Sequence, residues 1–288
     1  MSIEIKDVCY LYEAGTPFEM QALEHVSLTI DKGEFIGLIG HTGSGKSTLI
    51  QHLNALLSPS SGKVLYDGLD VFDDNAKGRR REIRQKVGLV FQYPEHQLFE
   101  MSVWKDVAFG PRNMKLPEEE IQERVRWALD LVEMGPEYYE KSPFDLSGGQ
   151  KRRVAVAGVL AMRPEYLILD EPAAGLDPRG RDELFDRIAG LRDKTGMTVV
   201  LVSHSMEDVA RYVDRIIVMD HGKLKYDDTP AEVFQHKEEL EAMGLAVPQI
   251  SELGILLRKR GFEIPKDVIR MDQMEEVLVR LFGTGGTR

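Results

Sequence analysis

Cysteine is almost absent from this chain. The one present, Cys9, lies in an alternating apolar run, which excludes an intramolecular disulfide framework and a cysteine-based zinc site and fits a reducing, cytosolic setting. Long apolar runs are missing too: the longest, Val154 to Met162, is about half of the roughly 20 residues a bilayer span needs. The opening MSIEIKDVCY has no basic flank leading into an apolar stretch, so neither a standard secretory signal nor a membrane crossing is expected. Positive charge is in deficit. With 37 Lys+Arg against 48 Asp+Glu and a formal net charge of −11, no general field draws nucleic acid or anionic lipid, and any phosphate binding must be local. Internal repeats and heptads are not visible, and 26 Gly with 13 Pro exclude collagen-like and low-complexity classes. What remains is a globular chain of 288 residues, 42% hydrophobic and 30% charged. That length is about twice a usual single domain, which predicts one large α/β domain with an appendage, or two domains.

Two period-2 runs, Ser2 to Tyr10 and Ala22 to Ile30, frame the turn-rich insert EAGTPFE and predict an opening antiparallel pair. Glu34 to Ile39 reads as a strand buried on both faces, running into glycines and then a helix over Lys46 to Leu57. A β passage over Lys63 to Phe72 with a turn at Asp67-Gly68, a charged stretch from Gly78 to Gln85, and a strand over Lys86 to Phe91 follow. From Ser102 to Glu133 the period turns helical, with Pro117 and three glutamates marking a helix start. Helix (Gln150 to Met162), strand (Tyr166 to Leu169), helix (Arg181 to Lys194), strand (Thr198 to Ser203), short helix (Met206 to Tyr212) and strand (Arg215 to Met219) then alternate, which implies a mostly parallel sheet. Asp220, His221 and Gly222 turn the chain into Lys223 to Tyr226. A boundary is placed near Thr229, dividing residues 1–228 from a helical tail, 229–288, with helices around Ile250 to Arg260 and Met271 to Phe282. The closing GTGGTR is expected to be disordered.

Residues 40 to 47, Gly-His-Thr-Gly-Ser-Gly-Lys-Ser, complete a G-x-x-x-x-G-K-[ST] pattern between a buried strand and a helix, the context this phosphate-binding motif requires. Its glycines, Gly40, Gly43 and Gly45, let backbone N–H groups turn inward on a polyphosphate, with His41, Thr42 and Ser44 between them and Thr48 following. Lys46 supplies a charge for the β- and γ-oxygens and Ser47 a hydroxyl for Mg²⁺. YLILD-E delivers Asp170 to a strand end, where it can reach the metal, and leaves Glu171 to polarise an attacking water. An acidic pair at a strand end is weak by itself and strong beside a P-loop.

Leu146-Ser147-Gly148-Gly149-Gln150, opening a helix, is identical to the signature of the ATP-binding cassette (ABC) ATPases, which the chain resembles over nearly all of its first 230 residues. The resemblance implies a RecA-like, mostly parallel sheet with an antiparallel β subdomain, a helical subdomain over about 93–162 and a small C-terminal helical extension. In the family the signature meets the γ-phosphate held by the opposite subunit's P-loop, so dimerisation belongs to the chemistry. By the same resemblance, Gln92 matches the Q-loop residue that contacts Mg²⁺ and the attacking water, and His204 the switch histidine on the γ-phosphate. Gly175-Leu176-Asp177 matches the D-loop crossing the interface, and Tyr12 sits where an aromatic stacks on adenine, with Tyr10 and Phe18 as alternatives. Ala173-Ala174 departs from the usual hydroxyl before the D-loop. His25, His41, His52, His96, His221 and His236 show no ligand spacing.

The span QYPEHQLFEMSVWKDVAFGPR, Gln92 to Arg112, together with GHTGSGKS and the helical tail, resembles the second type of ATP-binding A subunit of energy-coupling factor (ECF) importers. That resemblance implies an ATPase subunit, peripheral on the cytoplasmic face of the cell membrane, that powers uptake of vitamins or metal ions. Its partners would be a second A subunit, a transmembrane T subunit and substrate-capturing S subunits, with no nucleic acid. A homodimeric cobalt or nickel importer ATPase is the alternative, ahead of a nucleic-acid-associated ABC ATPase, for which no coiled-coil insertion is visible. Tyr93, Glu95, Glu100 and Trp104 would meet a coupling helix of the T subunit, or, for Trp104, pack the helical block.

Overall fold

The computed structural model describes residues 2–73 and 78–282. The closing GTGGTR lies outside the described residues. An antiparallel sheet in the order β2-β1-β4-β5 contains β1 (Ile3–Tyr12), β2 (Met20–Ile30), β4 (Ser61–Tyr66) and β5 (Leu69–Asp70). A second sheet has the order β10-β9-β3-β8-β7-β6, from β3 (Phe35–Ile39), β6 (Val87–Val90), β7 (Tyr166–Asp170), β8 (Thr198–Val202), β9 (Arg215–Asp220) and β10 (Lys223–Asp228). All its neighbours pair in parallel except β10, which returns beside β9 through His221 and Gly222, both at positive φ.

Alternation along the buried strands sorts their side chains between two cores. Phe35 and Ile39 of β3, Leu167 and Leu169 of β7, and Val199 and Leu201 of β8 face the larger one. Ile36, Leu38, Ile168, Val200 and Val202 face the other, shared with the antiparallel sheet and with helix α1 (Lys46–Leu53). Asp170 follows Ile168 at the period of two, which turns it to the α1 side at the end of its strand. Helix α1 stops at Leu53, short of the expected Leu57. Asn54 caps it and donates through its side-chain amide to the Val87 carbonyl, and Ala55 takes a left-handed conformation that no helix continues through.

The charged stretch folds as α2 (Arg79–Lys86), and β6 accordingly starts one residue later than expected. The helical stretch divides into α3 (Val103–Asn113) and α4 (Glu118–Leu131), with Lys115 at positive φ between them; both pack on α5 (Gly148–Leu160). Helices α6 (Pro178–Thr195) and α7 (Met206–Tyr212) complete the larger core through Leu184, Phe185, Ile188 and Val209. In the tail come α8 (Pro230–Val233), α9 (Lys237–Ala242), α10 (Gln249–Lys259) and α11 (Met271–Phe282). Val233, Phe234, Leu240 and Val247 join the larger core, whereas Ile264, Val268 and Met274 form a cluster of their own against α10 and α11. Among the described residues no helix is long and apolar enough to cross a membrane.

Candidate functional site

Parallel registers bring the carboxyl ends of β3, β7 and β8 level, because Leu38 pairs with Val202 and Val202 with Asp170. The loops after these strands therefore open on one edge, the usual ligand edge of such a sheet. Gly40 and Gly45 have to be glycine. A Cβ on Gly40 would stand 2.4 Å from the Met219 carbonyl oxygen, and one on Gly45 2.5 Å from that of Ala22, with φ at 156° and 100°. Lys46 follows at the start of α1, where its Nζ donates to the carbonyls of Gly40 at 2.6 Å and His41 at 3.0 Å. Burial lowers its pKa, opposed by Asp170 and Glu171. Ser44 Oγ is buried without a hydrogen-bond partner, while Ser47 is exposed.

Asp170 is buried, which raises its pKa against the pull of Lys46. Glu171 takes φ 52°, leaves the strand's alternation and donates its N–H to the Val202 carbonyl at 3.0 Å. Burial first, and the Asp170 charge second, push the Glu171 carboxyl up to about 7. Its Oε1 has no hydrogen-bond partner and lies 3.5 Å from Nε2 of His204, the exposed residue after β8. Desolvation and Lys46 hold that imidazole below its ordinary pKa. A carboxylate poised near neutrality beside an imidazole and a lysine is an arrangement that can take a proton from water.

Lys46, Asp170, Glu171 and His204 thus share one site. Tyr12 joins its margin, with its hydroxyl 3.1 Å from Thr48 Oγ1 on α1, whereas Tyr10 packs edge-on against buried His52 and Phe18 stands out on the β1–β2 turn. Gln92 is exposed after β6. The signature stands elsewhere. Ser147 caps α5 in a reciprocal box, accepting from Gln150 N while Gln150 Oε1 accepts from Ser147 N. Ser147 and Gly148 are exposed, and among the described residues no hydrogen bond joins Ser147–Gln150 to residues 40–48. Leu176 comes 3.2 Å from where a Gly149 Cβ would sit, and Asp177 caps α6 by accepting from Gly180 N at 2.8 Å.

In the segment after Gln92, the structure takes one of the two alternatives for Trp104 and gives Glu95 a partner within the chain. Trp104 is partly buried, tilted against Tyr139 at 5.2 Å and under Arg126, so it packs the helical block. Glu95 is engaged by buried Arg152 of α5 at 3.1 Å. The exposed apolar residues of this segment are Tyr93, Phe99, Met101 and Phe109; the last lies in α3, where a helical pattern reads a phenylalanine as core, and Phe99 and Met101 precede that helix without a periodic signal. Phe99 and Phe109, edge to face at 4.9 Å, border a groove of about 560 Å³ that also carries Arg81 and Arg84.

A P-loop on β3, an acidic pair ending β7, a histidine after β8 and a separately exposed serine-glycine helix tip define an ATP-binding cassette. The model of the ABC transporter family matches residues 23–174, and the chain belongs to that family, whose cassettes bind and hydrolyse ATP. Within it, the chain falls with the ATP-binding proteins of energy-coupling factor transporters. The energy-coupling factor transporter ATP-binding protein EcfA2 of Caldanaerobacter subterraneus subsp. tengcongensis is 54% identical over 280 residues, 97% of each chain. Two solved structures resemble it: cbiO1 of Clostridium perfringens, part of the ABC transporter complex cbiONQ, and the dimeric cassette MJ0796 with ADP and Pi after hydrolysis. The first has TM-score 0.73 and 39% identity, covering 89% of this chain and 98% of its own; the second has 0.71 and 31%, covering 79% and 98%.

Proposed function

We propose that the chain is the ATP-hydrolysing A subunit of an energy-coupling factor transporter, acting on the cytoplasmic face of the membrane to power uptake of vitamins or metal ions. The observation that carries this reading is the separation within one chain of the P-loop site from the exposed Ser147–Gly148 helix tip, which leaves each half needing a partner cassette. Ser47 and Asp170 offer a hydroxyl and a carboxylate, a hard oxygen set that suits Mg²⁺, with Gln92 as the further candidate. The ion, when bound, would neutralise charge on the phosphates. Lys46 leaves the Gly40 and His41 carbonyls for the β- and γ-oxygens of ATP. Backbone N–H groups of residues 40–48 hold the phosphates, and Tyr12 lies on the adenine. Glu171 accepts the proton of the attacking water, and His204, beside it, contacts the γ-phosphate.

From the opposite cassette, Ser147, Gly148, Gly149 and Gln150 close on the γ-phosphate, with Asp177 near the seam. Hydrolysis then loosens the pair, so the output is a closing and opening motion. The Glu95–Arg152 pair joins the segment after Gln92 to the signature helix α5. A transmembrane T subunit seated on Tyr93, Phe99, Met101 and Phe109 would thereby feel the signature move. The exposed Val279, Leu281 and Phe282 of α11 offer an apolar contact to the second A subunit, which sets residues 229–288 apart from the cassette of 1–228 in role. Copurification from detergent extract with mass identification, followed by ATPase assay of the reconstituted complex, tests this. A second, non-identical A subunit with a transmembrane protein is the expected outcome. A single A species supports the homodimeric cobalt or nickel importer instead, and a purified complex that contains no membrane protein refutes both.

A further inference from the structure

Beside the catalytic residues, on the same sheet edge, three side chains from two distant parts of the sequence converge at the P-loop. His41 Nε2 lies 3.1 Å from Asp220 Oδ1, His221 Nε2 lies 3.7 Å from the same oxygen, and the three ligand atoms fall within 4.8 Å of one another. The two imidazoles stand with centroids 4.7 Å apart. His41 belongs to the phosphate loop, whereas Asp220 ends β9 and His221 occupies the tight turn into β10, where its positive φ and that of Gly222 fix the tip.

The hydrogen-bond inventory of His41 sets the chemistry. Its Nδ1 is 2.8 Å from the Thr42 carbonyl, an acceptor only, so that nitrogen carries a proton. A neutral ring then presents Nε2 as a lone pair, directed at a carboxylate oxygen that also has only lone pairs to offer. Either a second ring proton or a cation has to lie between them. An Nδ1–H held by a backbone carbonyl is the standard outer contact of a metal-binding histidine, because it fixes the ring and the tautomer. Ligand atoms about 2 Å from a tetrahedral ion stand roughly 3.3 Å apart, between the 3.1 and 3.7 Å that separate Asp220 Oδ1 from the two imidazole nitrogens. Two imidazoles and one carboxylate suit a borderline divalent ion of the zinc or cobalt kind over Mg²⁺, which takes oxygen ligands.

We propose that His41, Asp220 and His221 form a transition-metal site, separate from the Mg²⁺ of catalysis, that ties the phosphate loop to the β9–β10 turn. Held by the metal, the loop stays in the form whose Gly40 and His41 carbonyls engage Lys46, so metal and ATP oppose each other, each weakening the other by the same factor.

The test uses the purified full-length chain, Co²⁺ as a spectroscopic probe, and Zn²⁺. The expected result is one equivalent of Co²⁺ with the visible absorption of a nitrogen-ligated ion. His221→Ala and Asp220→Asn each weaken it at least about tenfold, and Mg²⁺ in millimolar excess does not displace it. Zn²⁺ raises the KM for ATP in the wild type and does so much less in His221→Ala, whose ATPase rate without zinc is unchanged. Absence of Co²⁺ binding overturns the proposal. So does binding that His221→Ala leaves intact, which places the ion elsewhere. Equal zinc inhibition of both proteins overturns the opposition to ATP.

Discussion

Replacing Glu171 by Gln removes one negative charge and keeps the shape of the side chain. In the nucleotide-free chain the carboxyl sits at about 7 against an ordinary 4.5, because it is buried and faces Asp170. Between those values the folded chain holds a proton that the unfolded chain has released, so stability falls as pH rises through this window. The difference corresponds to about 3 kcal/mol, all of it present as a penalty above about pH 8 and absent below about pH 4. Glutamine carries no such penalty. The variant should therefore match the wild type in acid and gain up to about 3 kcal/mol at pH 8, roughly 1 M in the urea midpoint for a slope near 3 kcal/mol per molar. The same substitution removes the base, and turnover should fall at least about a hundredfold while ATP is still bound. An ATP-bound dimer should then accumulate on size exclusion. Wild-type kcat/KM should rise from pH 6 and level off near pH 8, following the same carboxyl. Equal urea midpoints of the two proteins at pH 8 would refute the buried-carboxyl reasoning, and a wild-type hydrolysis rate in the variant would refute the assignment of the base.

Three other substitutions probe separate parts of the chain. Gly45→Ala places a methyl 2.5 Å from the Ala22 carbonyl at φ 100°, so it should cost about 1–3 kcal/mol and weaken ATP binding at least about tenfold by calorimetry; unchanged affinity contradicts the role of that glycine. Glu95→Gln strands the buried Arg152 guanidinium and should destabilise by about 2 kcal/mol in denaturant titration, while Glu95→Leu with Arg152→Met should recover most of the loss; a double variant as unstable as the single one shows that packing, not charge, holds the segment. Phe99→Ser with Met101→Ser should abolish copurification with the transmembrane partner and leave ATP binding by the isolated chain unchanged, and retained copurification removes that face from the contact.

The order of elements and the identity of the phosphate site could be read along the chain because both are written in local pattern. Glycines at fixed spacing, a buried strand before them and a helix after them specify a P-loop wherever they occur, and short apolar runs alternating with helical stretches specify a parallel sheet. Where expectation and structure part, a contact from far along the chain decides. Asn54, bonded to Val87, ends α1 early, and Arg152 engages Glu95, which was expected to face a partner helix.

By itself, then, the sequence determined which residues could meet phosphate and how their strands follow one another, since period and turn chemistry act over a few residues. The tertiary structure alone decided what surrounds each charge. Burial beside Asp170 is what brings Glu171 near neutrality, the partner Arg152 is what makes Glu95 a tether, and the β9–β10 turn is what carries Asp220 and His221 to His41. Desolvation and Coulomb attraction depend on distance in space, which spacing along a chain does not contain.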